Sequence, residues 1–126
     1  MEKKPLYTLH AEHVEWRNRV LFYNDDLQIL KRRLDEVAVR NTDKEVQAMV
    51  EHFQNRMLVQ KEQIDILKHD INEYEKVIEV HLKKNDTAAD QRSWNDHTHL
   101  RERVETFELL FNELRKDLIG FVAKWL

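Results

Sequence analysis

Residues 9–23, LHAEHVEWRNRVLFY, set out an apolar seam with a histidine inside it. Extending the alternation of threes and fours both ways collects Leu6, Leu9, His13, Trp16, Val20, Tyr23, Leu27, Leu30, Leu34 and Val37. Side chains at that spacing share one face of an α-helix, because a turn takes about 3.6 residues. Nine of these ten suit burial, so the stretch reads as one long amphipathic helix.

The same spacing recurs twice. A second seam runs Val46, Val50, Phe53, Met57, Gln60, Ile64, Leu67, Ile71, Tyr74, Ile78, His81. A third runs Ser93, His97, Leu100, Val104, Phe107, Phe111, Leu114, Leu118, Phe121, Trp125. Between the first two lies Asn41-Thr42-Asp43-Lys44-Glu45, where Thr42 and Glu45 have the spacing of a capping box and Asn41 suits a left-handed helix end. Between the last two lies Lys84-Asn85-Asp86-Thr87, with Asp86 or Thr87 as the cap. These breaks predict helices over about 6–40, 43–84 and 88–124, with boundaries good to a few residues. Gly120 interrupts the third, and close helix packing is the expected reason.

Composition agrees with helices. The chain has 126 residues, one Gly, one Pro and no Cys; 36% are charged and 41% hydrophobic. So few turn formers argue against a sheet, and the length suits a single domain over residues 1–126. Short connections place consecutive helices antiparallel. The expected fold is all-α, an up-down-up antiparallel three-helix bundle with coiled-coil-like seams.

Several function classes are disfavoured. The net charge is −3 with signs interleaved, which gives no electrostatic footprint for nucleic acid. No apolar run is long enough for a membrane span, and MEKKPLYTLH has no hydrophobic signal core, so the expectation is a cytoplasmic protein with no membrane contact. Without cysteine there is no disulfide or thiolate chemistry. No Gly-rich phosphate loop and no Ser–His–acid arrangement is visible, so a non-enzymatic role is favoured.

Helix 2 carries a further row beside its seam: Met49, His52, Arg56, Val59, Gln63, Ile66, Asp70, Glu73, Val77, Val80. Half of it is apolar, which marks helix 2 as the middle helix. A row left uncovered would bind another chain, so the expected partner is a second copy (a homo-oligomer) or a partner helix.

Polar residues intrude at one end. Folding the chain about its breaks sets His13 level with about residue 69 of helix 2 and about residue 103 of helix 3, to within a turn of roughly 5 Å. His13 and His97 lie on seams; Asp70, Glu73 and Tyr74 lie on the wide face of helix 2; His10 shares a face with His13. One reading is a divalent-metal site, with zinc, iron or manganese held by His13, Asp70, Glu73 and His97, and with His10 and Tyr74 as outer or substitute ligands. In architecture this is loosely similar to the hemerythrin-like and ferritin-like bundles. Of the paired motifs those families use, His69 and Glu73 have the His-x-x-x-Glu spacing and no other pair is present. The competing reading is a hydrogen-bonded network, with Asp70 paired to Arg101 and the histidines bonded to Tyr74 or Glu73. Gln60 is expected to fix register, His52, His69 and His99 to be solvated, and Trp16, Trp94 and Trp125 to fill the core or cap its ends.

Overall fold

The computed structural model describes residues 6–84 and 91–126. They form α1 (Leu6–Arg40), α2 (Lys44–Lys83) and α3 (Gln91–Trp125), with no strand among the described residues. Asn24 and His13 of α1 meet Lys61 and Glu75 of α2, and Arg103 and Asp117 of α3 meet Asp70 and Arg56 of α2, so both consecutive pairs are antiparallel. This is the expected up-down-up bundle. The expected start of the third helix near residue 88, and its Asp86 or Thr87 cap, lie outside the described residues.

The first turn differs in detail from expectation. Asp43, not Thr42, caps α2: its extended backbone (φ −61°, ψ 135°) lets Oδ1 accept the Glu45 N–H at 2.8 Å. A carboxylate there also complements the positive helix end. The Thr42–Glu45 capping box therefore gives way to an Asp cap. Asn41 holds the turn, its Nδ2 donating to the Val37 and Trp125 carbonyls, each at 3.0 Å. One side chain thus ties the end of α1 to the end of α3.

The predicted seams form the core. Leu34, Val37, Phe111 and Leu118 are fully buried, and Phe107 packs edge-on against Tyr23 with ring centroids 5.4 Å apart. The main apolar cluster stops near Trp16, Ile71 and Leu100, and a smaller one, Leu6, Leu9 and Ile78, lies beyond it. The seam of α2 departs from the sequence count at one point: after Ile71 it continues through Glu75 to Ile78, and Tyr74 is only half-buried. Two corrections concern other expected core positions. Trp125 is 37% exposed, and nothing lies within 4 Å of a Cβ built on Gly120, so no close packing explains that glycine.

Three ion pairs join α1 to α3 at seven-residue intervals. Glu12 accepts from Arg101 at 2.8 Å, Arg19 donates to Glu108 at 3.4 Å, and Asp26 accepts from Arg115 at 3.1 Å. The sign alternates from rung to rung. Sliding α3 by one heptad would face Glu12 with Glu108 and Arg19 with Arg115, or Arg19 with Arg101 and Asp26 with Glu108. Each exposed pair is worth at most ~1 kcal/mol, yet each slipped register replaces attraction with repulsion.

Gly120 therefore sits in a helix with open space around it. Gly120→Ala should stabilise the bundle by about 0.5–1 kcal/mol, through helix propensity and a less flexible unfolded chain. Thermal or urea unfolding measures this, and a loss of stability would mean that the glycine has a packing role.

Candidate functional site

Between the two apolar clusters lies a polar layer built from all three helices. His13 and His97 are 2% and 1% exposed, and Glu75 is buried beside them. His13 Nδ1 lies 3.2 Å from Glu75 Oε2, and its Nε2 lies 3.1 Å from His97 Nδ1. His97 Nε2 is 3.3 Å from both Arg101 Nη2 and Glu12 Oε2. His10 Nδ1 bonds the other Glu75 oxygen. Trp16 stacks on His97 with centroids 4.8 Å apart and covers the pair on one side.

The partners assign one proton. A carboxylate only accepts, so His13 carries a proton on Nδ1 toward Glu75. Its Nε2 shares a single proton with His97 Nδ1, and His97 Nε2 lies 3.3 Å from both a donor, Arg101, and an acceptor, Glu12. His13 lies below the usual histidine range, first because burial disfavours its charged form and second because His97 opposes it; Glu75 pulls the other way with less effect.

The expected ligand set is only half assembled. The structure joins His13 and His97, and it adds His10 through Glu75. Asp70 is instead paired with Arg103 at 2.7 Å, and Glu73 is solvent-exposed and paired with Lys76 at 3.0 Å. The expected Asp70–Arg101 pair is likewise replaced, because Arg101 binds Glu12. Tyr74 lines a cavity of ≈10 Å³ beside both histidines, about the space of one water-sized sphere. Among the described residues, no group of three or more His, Asp or Glu side chains is arranged to hold a metal ion.

Sequence reasoning missed Glu75 and Glu12. Glu75 is four residues after Ile71 and three before Ile78, which is a seam spacing, but Tyr74 fits the count as well and is less polar. Side-chain direction decides between the carboxylates. Helical side chains lean toward their own N-terminus. On antiparallel helices His13 leans away from the 41–43 turn and α2 side chains lean toward it. The carboxylate that meets His13 must therefore come from further along α2 than level counting gives.

A second feature lies on the outer surface. On the α2 row, Met49, Val59, Ile66, Val77 and Val80 are between 42% and 54% exposed. Arg56 bonds Asp117 at 3.0 Å, and fourteen residues further along α2 Asp70 bonds Arg103, so ion pairs bridge α2 and α3 at two levels. Midway between them a groove of ≈320 Å³ is lined by Gln60, Gln63, Leu67, Thr106, Phe107 and Leu110, among others. Gln60 is 8% exposed, and its Oε1 is buried with no hydrogen-bond partner among the described residues. No described helix is long and apolar enough to cross a membrane.

Comparison of the chain with protein-family models, with curated proteins and with solved structures found no match.

The direction of the His13 shift gives a pH dependence. With its folded pKa below the unfolded value of about 6.5, the unfolded chain binds more protons as pH falls, so this histidine makes stability decline through and below that pH. The melting temperature should drop between pH 7.5 and pH 5. His13→Leu should show a shallower dependence, whatever its absolute stability. Equal slopes for the two proteins would show that the buried histidine does not resist protonation.

Proposed function

We propose that the protein is a non-enzymatic helical bundle that works by association with a second copy of itself through the outer row of α2. One observation carries this reading: five apolar side chains, Met49, Val59, Ile66, Val77 and Val80, stand exposed along a single row. Scattered exposed apolar residues are normal on a monomer, whereas an aligned set on one helix is the kind of surface that seeks a partner. The row also has the three-and-four spacing of a coiled-coil flank, which suits a shallow helix crossing.

Light scattering at micromolar concentration should give the mass of a dimer or a larger species. The Val59→Lys/Ile66→Lys double variant should be monomeric with unchanged helicity, since both side chains already meet solvent. A wild-type protein that stays monomeric at high concentration would end this reading.

A second reading, a cation bound at the polar layer, has one observation in its favour. Two nitrogens on one tetrahedral zinc lie about 3.3 Å apart, given bonds of ~2.0–2.1 Å, and His13 Nε2 and His97 Nδ1 lie 3.1 Å apart. Glu75 and Glu12 stand behind the two rings, the usual place of carboxylates that orient ligating histidines. This site would offer two imidazoles rather than the four ligands expected from sequence. Zinc or iron(II) should then raise the melting temperature of untagged protein, and His97→Ala should abolish the rise. An ion-free elemental analysis together with no thermal shift would remove this reading.

A further inference from the structure

We infer that the α2–α3 surface is an antiparallel two-fold contact with a second copy of this chain, centred on Gln63 and Leu110. The inference rests on the self-association reading and adds its face, axis and register.

The two ion pairs across the groove fix the levels. Arg56 is beside Asp117, Asp70 is beside Arg103, and Gln63 and Leu110 lie midway. A two-fold axis crossing the groove at that midpoint sets α2 against α2 of the second copy, and α3 against α3, each antiparallel. Such an isologous contact requires the surface to be complementary to itself when reversed. This surface is. Reversal brings Arg56 opposite Asp70 of the second copy and Asp117 opposite Arg103 of the second copy. Val59 and Ile66 come within one residue of exchanging places, Met49 meets Val77 of the second copy, and Leu110 meets its own equivalent. Apolar groups face apolar groups, and each ion pair joins its reversed counterpart.

The buried oxygen at the centre supports the same axis. Gln63 of the second copy would lie opposite Gln63, one helical turn from Gln60. Its Nε2–H can be donated to the Gln60 Oε1 that lacks a partner. Symmetry makes that bond twice, at the level of the groove between α2 and α3. The competing two-fold, parallel to the helices, sets α2 against α3 instead. It places Met49 level with Lys124 and Val77 level with Asp96, so exposed apolar side chains face charged ones.

The chain has no cysteine, so thiol cross-linking reads the geometry directly. Met49→Cys and Val77→Cys are made separately, on exposed positions. With a short thiol-reactive cross-linker, an equimolar mixture should give linked dimers, whereas neither variant alone should, because 28 residues of α2 separate the two levels by about 42 Å. Self-linking of Met49→Cys would overturn the antiparallel arrangement. A sample that is dimeric by light scattering yet unlinked in the mixture would overturn this geometry and leave self-association standing; a monomeric sample would overturn both. Gln60→Met, which keeps the volume and removes the orphan oxygen, should weaken the dimer about tenfold through two lost hydrogen bonds without lowering the stability of the bundle. An unchanged dissociation constant would overturn the proposed centre.

Discussion

The contact between His13 and His97 constrains the whole bundle. Apolar heptads above it are nearly interchangeable, since leucine and valine pack in any of several registers. Two buried imidazoles are not. If α3 slid by a heptad, Val104 would replace His97, and His13 would face an aliphatic side chain with its Nε2 unpaired. An unsatisfied buried polar group costs about 1–3 kcal/mol, and each register shift strands groups on more than one helix. The alternating ion pairs on the α1–α3 flank oppose the same slip from outside. Individually weak, they matter because every wrong register makes them repulsive.

The polar layer divides the interior as well as aligning it. Leu6, Leu9 and Ile78 form an apolar plug beyond the histidines, separate from the main cluster. The layer is compatible with burial because each of its buried nitrogens has a polar partner. Glu75 accepts from His13, the two histidines face one another, and His97 Nε2 lies between Arg101 and Glu12. Burial opposes an added proton at His13. This links the chemistry of the layer to the stability of the end of the bundle that holds it.

The outer face of α2 obeys a different rule. The bridges from Arg56 to Asp117 and from Asp70 to Arg103 keep charge on either side of the central apolar pair, Val59 and Ile66, with opposite polarity on the two helices. A face with that antisymmetry can meet its own reversed copy without burying an unpaired charge, which is the usual obstacle to covering a charged surface. The buried Gln60 oxygen lies where such a contact would close. The two polar features thus differ in place: the inner one aligns helices within the chain, and the outer one flanks the apolar row through which we propose that chains pair.

Much of this was legible in the amino-acid sequence, because helical periodicity is a local property. Three seams and the break at 41–43 follow from spacing alone, whereas the level count set His13 beside residue 103, six residues from His97, and left open whether the apolar row on α2 is covered. What spacing cannot convey is the direction in which a side chain leaves its helix and which of two adjacent residues turns inward. Asp70 and Glu73 were plausible ligands by level and face, yet Asp70 meets Arg103 and Glu73 meets Lys76, while Glu75 and Glu12 reach the histidines. The Asp43 cap, the open surroundings of Gly120 and the exposure of Trp125 were likewise decided by the packed arrangement. The sequence by itself determined which residues form helices and which faces they bury, because 3.6 residues per turn admits few alternatives. Only the tertiary structure decided which polar groups meet, because that depends on offsets of a few ångströms between helices that no local pattern records.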